Sequence, residues 1–227
     1  MTLGDLGSAR EQLGQVLDNA PTPSVRALVF RTRSELERVC GRYAESAAWS
    51  ERARVLYAEL EQDADLDIIA FNTAVAAWYL RPSNGTEAAV HRTAGPLLER
   101  GGHFAKLVAR DVALIATDPA QIDDLLPWVS ELSELQHDLL QLRARALTGA
   151  VQIPDDLVTA ARADRSTTGL WARHLFAHLD PRHSGLLDDV PQMLERITKG
   201  LLTGQRDALG ALVHVWSSDP VHSAGPL

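Results

Sequence analysis

The sequence predicts an all-α chain, an α-solenoid of about five helical hairpins with flanking helices, the alternative arrangement being a compact helical bundle. Three observations predict it. Apolar residues recur three and four apart almost throughout, which is the helical period, and no stretch reads as a strand. The breaks are written in helix punctuation, chiefly glycine, Asp-Pro and Ser-Asn-Gly. The helices so delimited pair off, with first members beginning near Ser24, Leu66, His103, Gln136, Thr167 and Gly204. Those starts step by about 42, 37, 33, 31 and 37 residues, the spacing of helix-pair repeats.

Taken in order, Pro21-Thr22-Pro23 separates a helix over about 3–19 from one over about 24–40, and Gly41 closes the latter by accepting left-handed geometry. Helices over about 44–61 and 66–80 follow, and Pro82-Ser83-Asn84-Gly85 leads into the next at about 86–99. Gly101-Gly102 precedes 103–117. Asp118-Pro119 starts 119–134, in which Pro127 is an internal breaker. Gly149 ends 136–149, Pro154 opens 154–164, and Asp180-Pro181 ends 167–179. Two last helices are expected over about 185–199 and 204–217, parted by Gly200 and Gly204. The whole, 1–227, reads as a single helical domain in which 24–117 is the most repeat-like part, 118–217 is more divergent and 218–227 is a tail. Ala70, Ala74 and Ala77 on one helix, and Ala109, Ala113 and Ala116 on another, would let neighbouring backbones approach closely. The five tryptophans, at about one per pair, would wedge between layers.

Composition narrows the kinds of work. With 45% hydrophobic and 23% charged residues the chain is an ordinary globular one rather than a disordered one. No apolar run approaches the roughly 20 residues that cross a bilayer. The first fifteen residues lack the basic start and apolar centre of a secretion signal, so a cytoplasmic location is expected. Cys40 is the single cysteine, which rules out an internal disulfide and fits a small buried residue. A net charge of −8 argues against direct nucleic-acid contact, which needs a basic stripe. Charge is nonetheless uneven. Seven acids and no Lys or Arg lie between Asp111 and Leu142, whereas Arg26, Arg31, Arg33, Arg38, Arg42, Arg52 and Arg54 outnumber the four acids among them. Twenty Arg against two Lys fits a GC-rich bacterial genome.

The segment Gly41-Arg42-Tyr43-Ala44-Glu45-Ser46, continued by Trp49 and Ala53, resembles the turn and second helix of a tetratricopeptide repeat, and Gly85 to Ala89 with Leu97-Leu98-Glu99 is similar. Arg33 and Glu37 stand where that pattern has large apolar residues, and Ser46 and Ser50 replace an alanine and an aromatic. The resemblance extends over 24–117 and is similar to the helical arrays of large bacterial regulators of the LuxR or MalT kind. It implies a regulatory or protein-interaction module. The chain has neither a P-loop nor a DNA-reading helix pair, so only the array part of that likeness applies.

For chemistry, His174 and His178 lie four apart on one helix, with His183 beyond the next turn, a spacing that could hold a metal. Leu175 occupies the glutamate place of H-E-x-x-H, and a core stripe of Trp171, Leu175 and Leu179 accounts for the same pattern. A small-molecule-binding or metal-dependent helical enzyme centred on His174 and His178 is therefore the alternative function. Asp123-Asp124, Asp155-Asp156 and Asp188-Asp189 sit where first-turn acids complement the helix dipole. No catalytic residue and no cofactor are assigned. The expected working surface is a concave groove lined by first-position helices, with Arg31 and Arg38 gripping a carboxylate and Asn72 and Trp78 beside them. The expected partner is a peptide or protein, with acidic character.

Overall fold

The structure is a computed structural model, and it describes residues 6–19, 22–39, 42–149, 152–164 and 167–192. Among these residues every regular element is helical and there is no strand. Ten α-helices follow in order: α1 Leu6–Asp18, α2 Pro23–Val39, α3 Tyr43–Glu59, α4 Asp63–Leu80, α5 Asn84–Arg100, α6 Gly102–Ile115, α7 Pro119–Ser130, α8 Glu134–Thr148, α9 Asp155–Ala163 and α10 Thr167–Leu179. A 3-10 helix over Pro181–Leu187 comes after them.

The punctuation residues act as their chemistry dictates. Asp118 accepts the Ala120 N–H at 3.0 Å, with Pro119 supplying a first-turn residue that has no N–H to satisfy. Ser83 and Thr86 cap each other's backbone N–H groups at 3.0 and 3.2 Å, a reciprocal box that starts α5. Gly101 and Gly102 hold φ of 69° and 78°, which makes the α5–α6 corner a place for glycine. The Arg42 N–H donates to the Glu37 carbonyl at 2.8 Å, a six-to-one bond at the end of α2. The same bond runs from Gln62 to Tyr57 at 3.0 Å, and there the left-handed position is Glu61, at φ 55°. Gly41, Cys40, Trp216 and the helix expected at 204–217 lie outside the described residues.

Two expectations change. Asp180 accepts the Arg182 N–H and begins a 3-10 helix directly, so the α-helix expected from 185 is described only from Val190, up to the last described residue, Gln192. Its carboxyl is held at about 2 by its hydrogen bonds to the Arg182 side chain and N–H. Ala70 is exposed, and α4 instead buries Phe71, Val75, Ala76 and Trp78 around most of its circumference. Among the described residues the chain groups into two compact units, one up to Leu97 and one from Leu98 onward.

In the first unit α2 packs against α1, α3 and α4, and α3 against α4. Its core gathers Ala27, Ala53, Tyr57 and Ile69, with Phe30 and Leu56 around them. The α2–α3 seam is unusual in being polar at its tightest point. Ser34 Oγ donates to the Ser46 carbonyl at 2.9 Å and lies 3.1 and 2.7 Å from the Ser46 and Ser50 hydroxyls, all three serines being buried. The facing Ser34 completes the hydrogen bonds of Ser46 and Ser50, so three small polar side chains can be buried together in this seam.

In the second unit α6, α7 and α8 pack in succession, and α8 also touches α9 and α10. Ala113, Ile122, Leu139, Leu140, Ala161 and Phe176 sit at the centre of its core. Two buried arginines close helix ends there. Arg143 of α8 donates to the Ala113 and Ala116 carbonyls of the α6 terminus at 3.2 and 2.6 Å, and Arg173 of α10 donates to Ala161 and Arg162 at the α9 terminus at 3.3 and 2.7 Å while pairing with Asp189. Each neutralises carbonyls that a helix leaves without partners.

Candidate functional site

The four residues expected to line a groove belong to the interior and to ion pairs. Arg31 pairs with Asp65, joining α2 to α4. Arg38 forks onto Glu35 of its own helix, with Nε donating to Oε2 at 3.1 Å. Asn72 is 7% exposed and Trp78 is 8% exposed, both inside the α4 packing. Trp78 meets Tyr79 edge-on at 5.2 Å, and Tyr79 stacks on Tyr43 at 5.1 Å with 8° between the rings. Burial raises the Tyr43 phenol above its ordinary pKa, with Tyr79 adding to the effect. Asn72 and Trp78 are thus buried within the packing of α4, which is covered on most sides, rather than presented on an open face.

The chemistry of the first unit concentrates elsewhere, around Glu37. This carboxylate is 2% exposed. Arg10 of α1 reaches it with a two-pronged fork, Nε donating to Oε1 at 3.0 Å and Nη2 to Oε2 at 2.6 Å. Arg33, one turn earlier on α2, places Nε 2.7 Å from Oε1, although that N–H does not point at the carboxylate, and its Nη1 donates to the Arg10 carbonyl at 2.9 Å. Arg42, brought close by the closing bond from its own N–H to the Glu37 carbonyl, stands 3.9 Å from Oε2. Burial lowers the Arg33 pKa, the Glu37 charge opposes that, and Arg10 and Arg42 add to it.

The cluster continues along α3 through Trp49. The guanidinium of Arg52 lies 4.5 Å and that of Arg33 5.7 Å from the Trp49 ring centroid, both within cation–π range. Phe30 packs on the same indole at 5.6 Å. Three guanidiniums therefore converge on one carboxylate, and a fourth is held on the adjacent indole. The sequence carried a signal for this. Arg33 and Glu37 occupy inward places where apolar residues were expected, and charges there must find each other once buried.

His174, His178 and His183 do not assemble a ligand set. Among the described residues no group of three His, Cys, Asp or Glu side chains is placed to hold a metal ion. His183 Nε2 is 4.0 Å from Asp180 Oδ2. His174 is half-buried, its Nε2 has no hydrogen-bond partner among the described residues, and burial lowers its pKa. Among the described residues no helix is long and apolar enough to cross a membrane. Compared with protein-family models, with curated proteins and with solved structures, the chain matches none.

Proposed function

We propose that this protein is an interaction module, a tetratricopeptide-like array of helical hairpins that binds a peptide or protein partner in a regulatory role. The observation that carries the reading is the packing order. In the first unit α2 touches both its hairpin partner α3 and the next first-position helix α4, tied to it by Arg31 and Asp65. In the second unit α8 likewise touches α9 and α10. Contact with the next element and the next but one is what stacked hairpins require, since each repeat must bury its apolar face on its neighbour. Arrays of this kind work by presenting side chains along successive helices, and the polar groups gathered on α2 and α3 of the first unit are suited to that use.

The test is a panel of immobilised peptides in four classes, acidic, basic, neutral-polar and apolar, offered to the full chain. Retention of at least one class with a dissociation constant below about 100 µM is expected. If every class passes through unretained, the interaction reading is wrong.

A further inference from the structure

We propose that the Arg42–Trp49–Arg52 side of α3, backed by Arg10, Arg33 and Glu37, is a docking strip for the carboxylate side chains of an acidic segment in a protein partner. This deepens the interaction reading above and rests on it for the source of the carboxylates.

Charge is the first argument. Arg10, Arg33, Arg42 and Arg52 bring four positive charges, and Glu37 with the exposed Glu45 on the same side of α3 returns two, leaving a surplus of two. Arg38 and Arg54 do not add to it, because Glu35 and Glu51 hold them. The surplus is not freely hydrated: the side chains of Arg10, Arg33 and Arg42 are 16%, 18% and 29% exposed. Cations held together with little water favour an incoming anion more than scattered surface cations do.

Donor geometry is the second. Both Glu37 oxygens are engaged by Arg10 and Arg33, so Arg42 at 3.9 Å is attracted to the carboxylate without bonding to it. Its planar fork has no hydrogen-bond acceptor among the described residues, and it is the most exposed of the three. The Arg52 guanidinium carbon lies 4.5 Å from the Trp49 ring centroid, a cation–π contact that restrains the side chain. A guanidinium already ordered loses less entropy when it takes a carboxylate.

Spacing is the third. Residues 42, 49 and 52 fall within about a quarter of the helix circumference, and ten residues at about 1.5 Å each separate the ends by roughly 15 Å. That matches four to five residues of extended chain at about 3.3 Å each. A short run of glutamates therefore places one carboxylate at Arg42 and another at Arg52, with aliphatic stems over the indole.

The probe is a fluorescent pentaglutamate, titrated into the full chain by polarisation, with pentaglutamine and inorganic sulfate alongside. Wild type should bind pentaglutamate and not pentaglutamine, with affinity falling at least about tenfold from low salt to roughly 0.5 M. Arg52→Gln, which touches no acid and so leaves the fold intact, should weaken binding at least about tenfold, and Arg42→Gln should do the same. Arg42→Lys should recover only part, and Glu45→Gln should tighten binding. Arg54→Gln should change nothing. Melting curves confirm that each variant is folded. Undiminished binding by both Arg42→Gln and Arg52→Gln overturns the strip, as does failure of pentaglutamate to bind. Sulfate binding without pentaglutamate binding overturns it in favour of a free oxyanion. A chain that rejects pentaglutamate while retaining a neutral or apolar peptide loses this site and keeps its role as an interaction module.

Discussion

Replacing Glu37 by glutamine keeps its size and removes its charge, and the structure sets what that should cost. The carboxylate accepts two charge-assisted hydrogen bonds from Arg10 and has Arg33 and Arg42 within 4 Å. Removing one partner from a buried ion cluster costs about 3–5 kcal/mol. Because the arginines retain 16–29% exposure and can turn partly to water, the lower end applies, about 3 kcal/mol. For a chain of this size each kcal/mol moves the melting temperature by roughly 2–4 °C, so a fall of about 6–12 °C is expected by circular dichroism or calorimetry. Glu51→Gln is the control, since Glu51 and Arg54 form an exposed pair at 61% and 53%, and its melting temperature should match wild type. If Glu37→Gln melts within about 2 °C of wild type, the arginines do not depend on that carboxylate and the cluster is misdrawn.

Three other outcomes follow from local geometry. A Cβ on Gly169 would lie 2.2 Å from the Asp164 carbonyl oxygen, so Gly169→Ala should destabilise by about 1–3 kcal/mol in urea even though alanine is the better helix former; a stabilised variant would contradict that close approach. Glu61 holds a left-handed φ of 55°, so Glu61→Gly should raise stability by up to about 1 kcal/mol, and a loss would show that the closing bond from Gln62 is absent. Burial depresses the His174 pKa below its ordinary 6.5, so the unfolded chain binds the proton more readily than the folded one. Stability should therefore be full above about pH 6.5 and decline as pH falls below it. His174→Phe should flatten that decline, and an unchanged profile would place the titration on another group.

The helices were legible because their ends are made by residues with few alternatives. Asp118-Pro119, Ser83 with Thr86, and Gly101-Gly102 each solve a backbone problem that only a handful of side chains can solve, so they mark boundaries from sequence alone. The site was less legible because burial of charge is a pairwise property. Arg33 and Glu37 look like departures from a repeat pattern until Arg10, some 27 residues from Glu37, arrives from another helix. Asn72 and Trp78 show the same limit from the other side. An amphipathic stripe reports which side of a helix is apolar, but α4 is covered on most sides, so its aromatic face is core rather than surface. The helix expected across Pro127 forms: α7 runs through it to Ser130, with Ile122, Leu126 and Val129 buried on either side of the missing N–H. Tertiary burial there outweighs a local penalty of about 3 kcal/mol.

The long reach of Arg143 bears on how the second unit comes apart. A stack of hairpins in which elements meet only adjacent elements frays like a zipper, with terminal helices exchanging their amide protons long before central ones. Arg143 is a second-neighbour link that works against such fraying: it leaves α8, passes over α7 in the chain order and ends on the last carbonyls of α6. Peeling α8 away therefore strips the α6 terminus of its cation and leaves the guanidinium and two carbonyls to find water at the same moment. Opening α8 and loosening α6 become one event, so the slow-exchanging amides of both helices should share a single opening free energy, and α6, α7 and α8 should melt as a block.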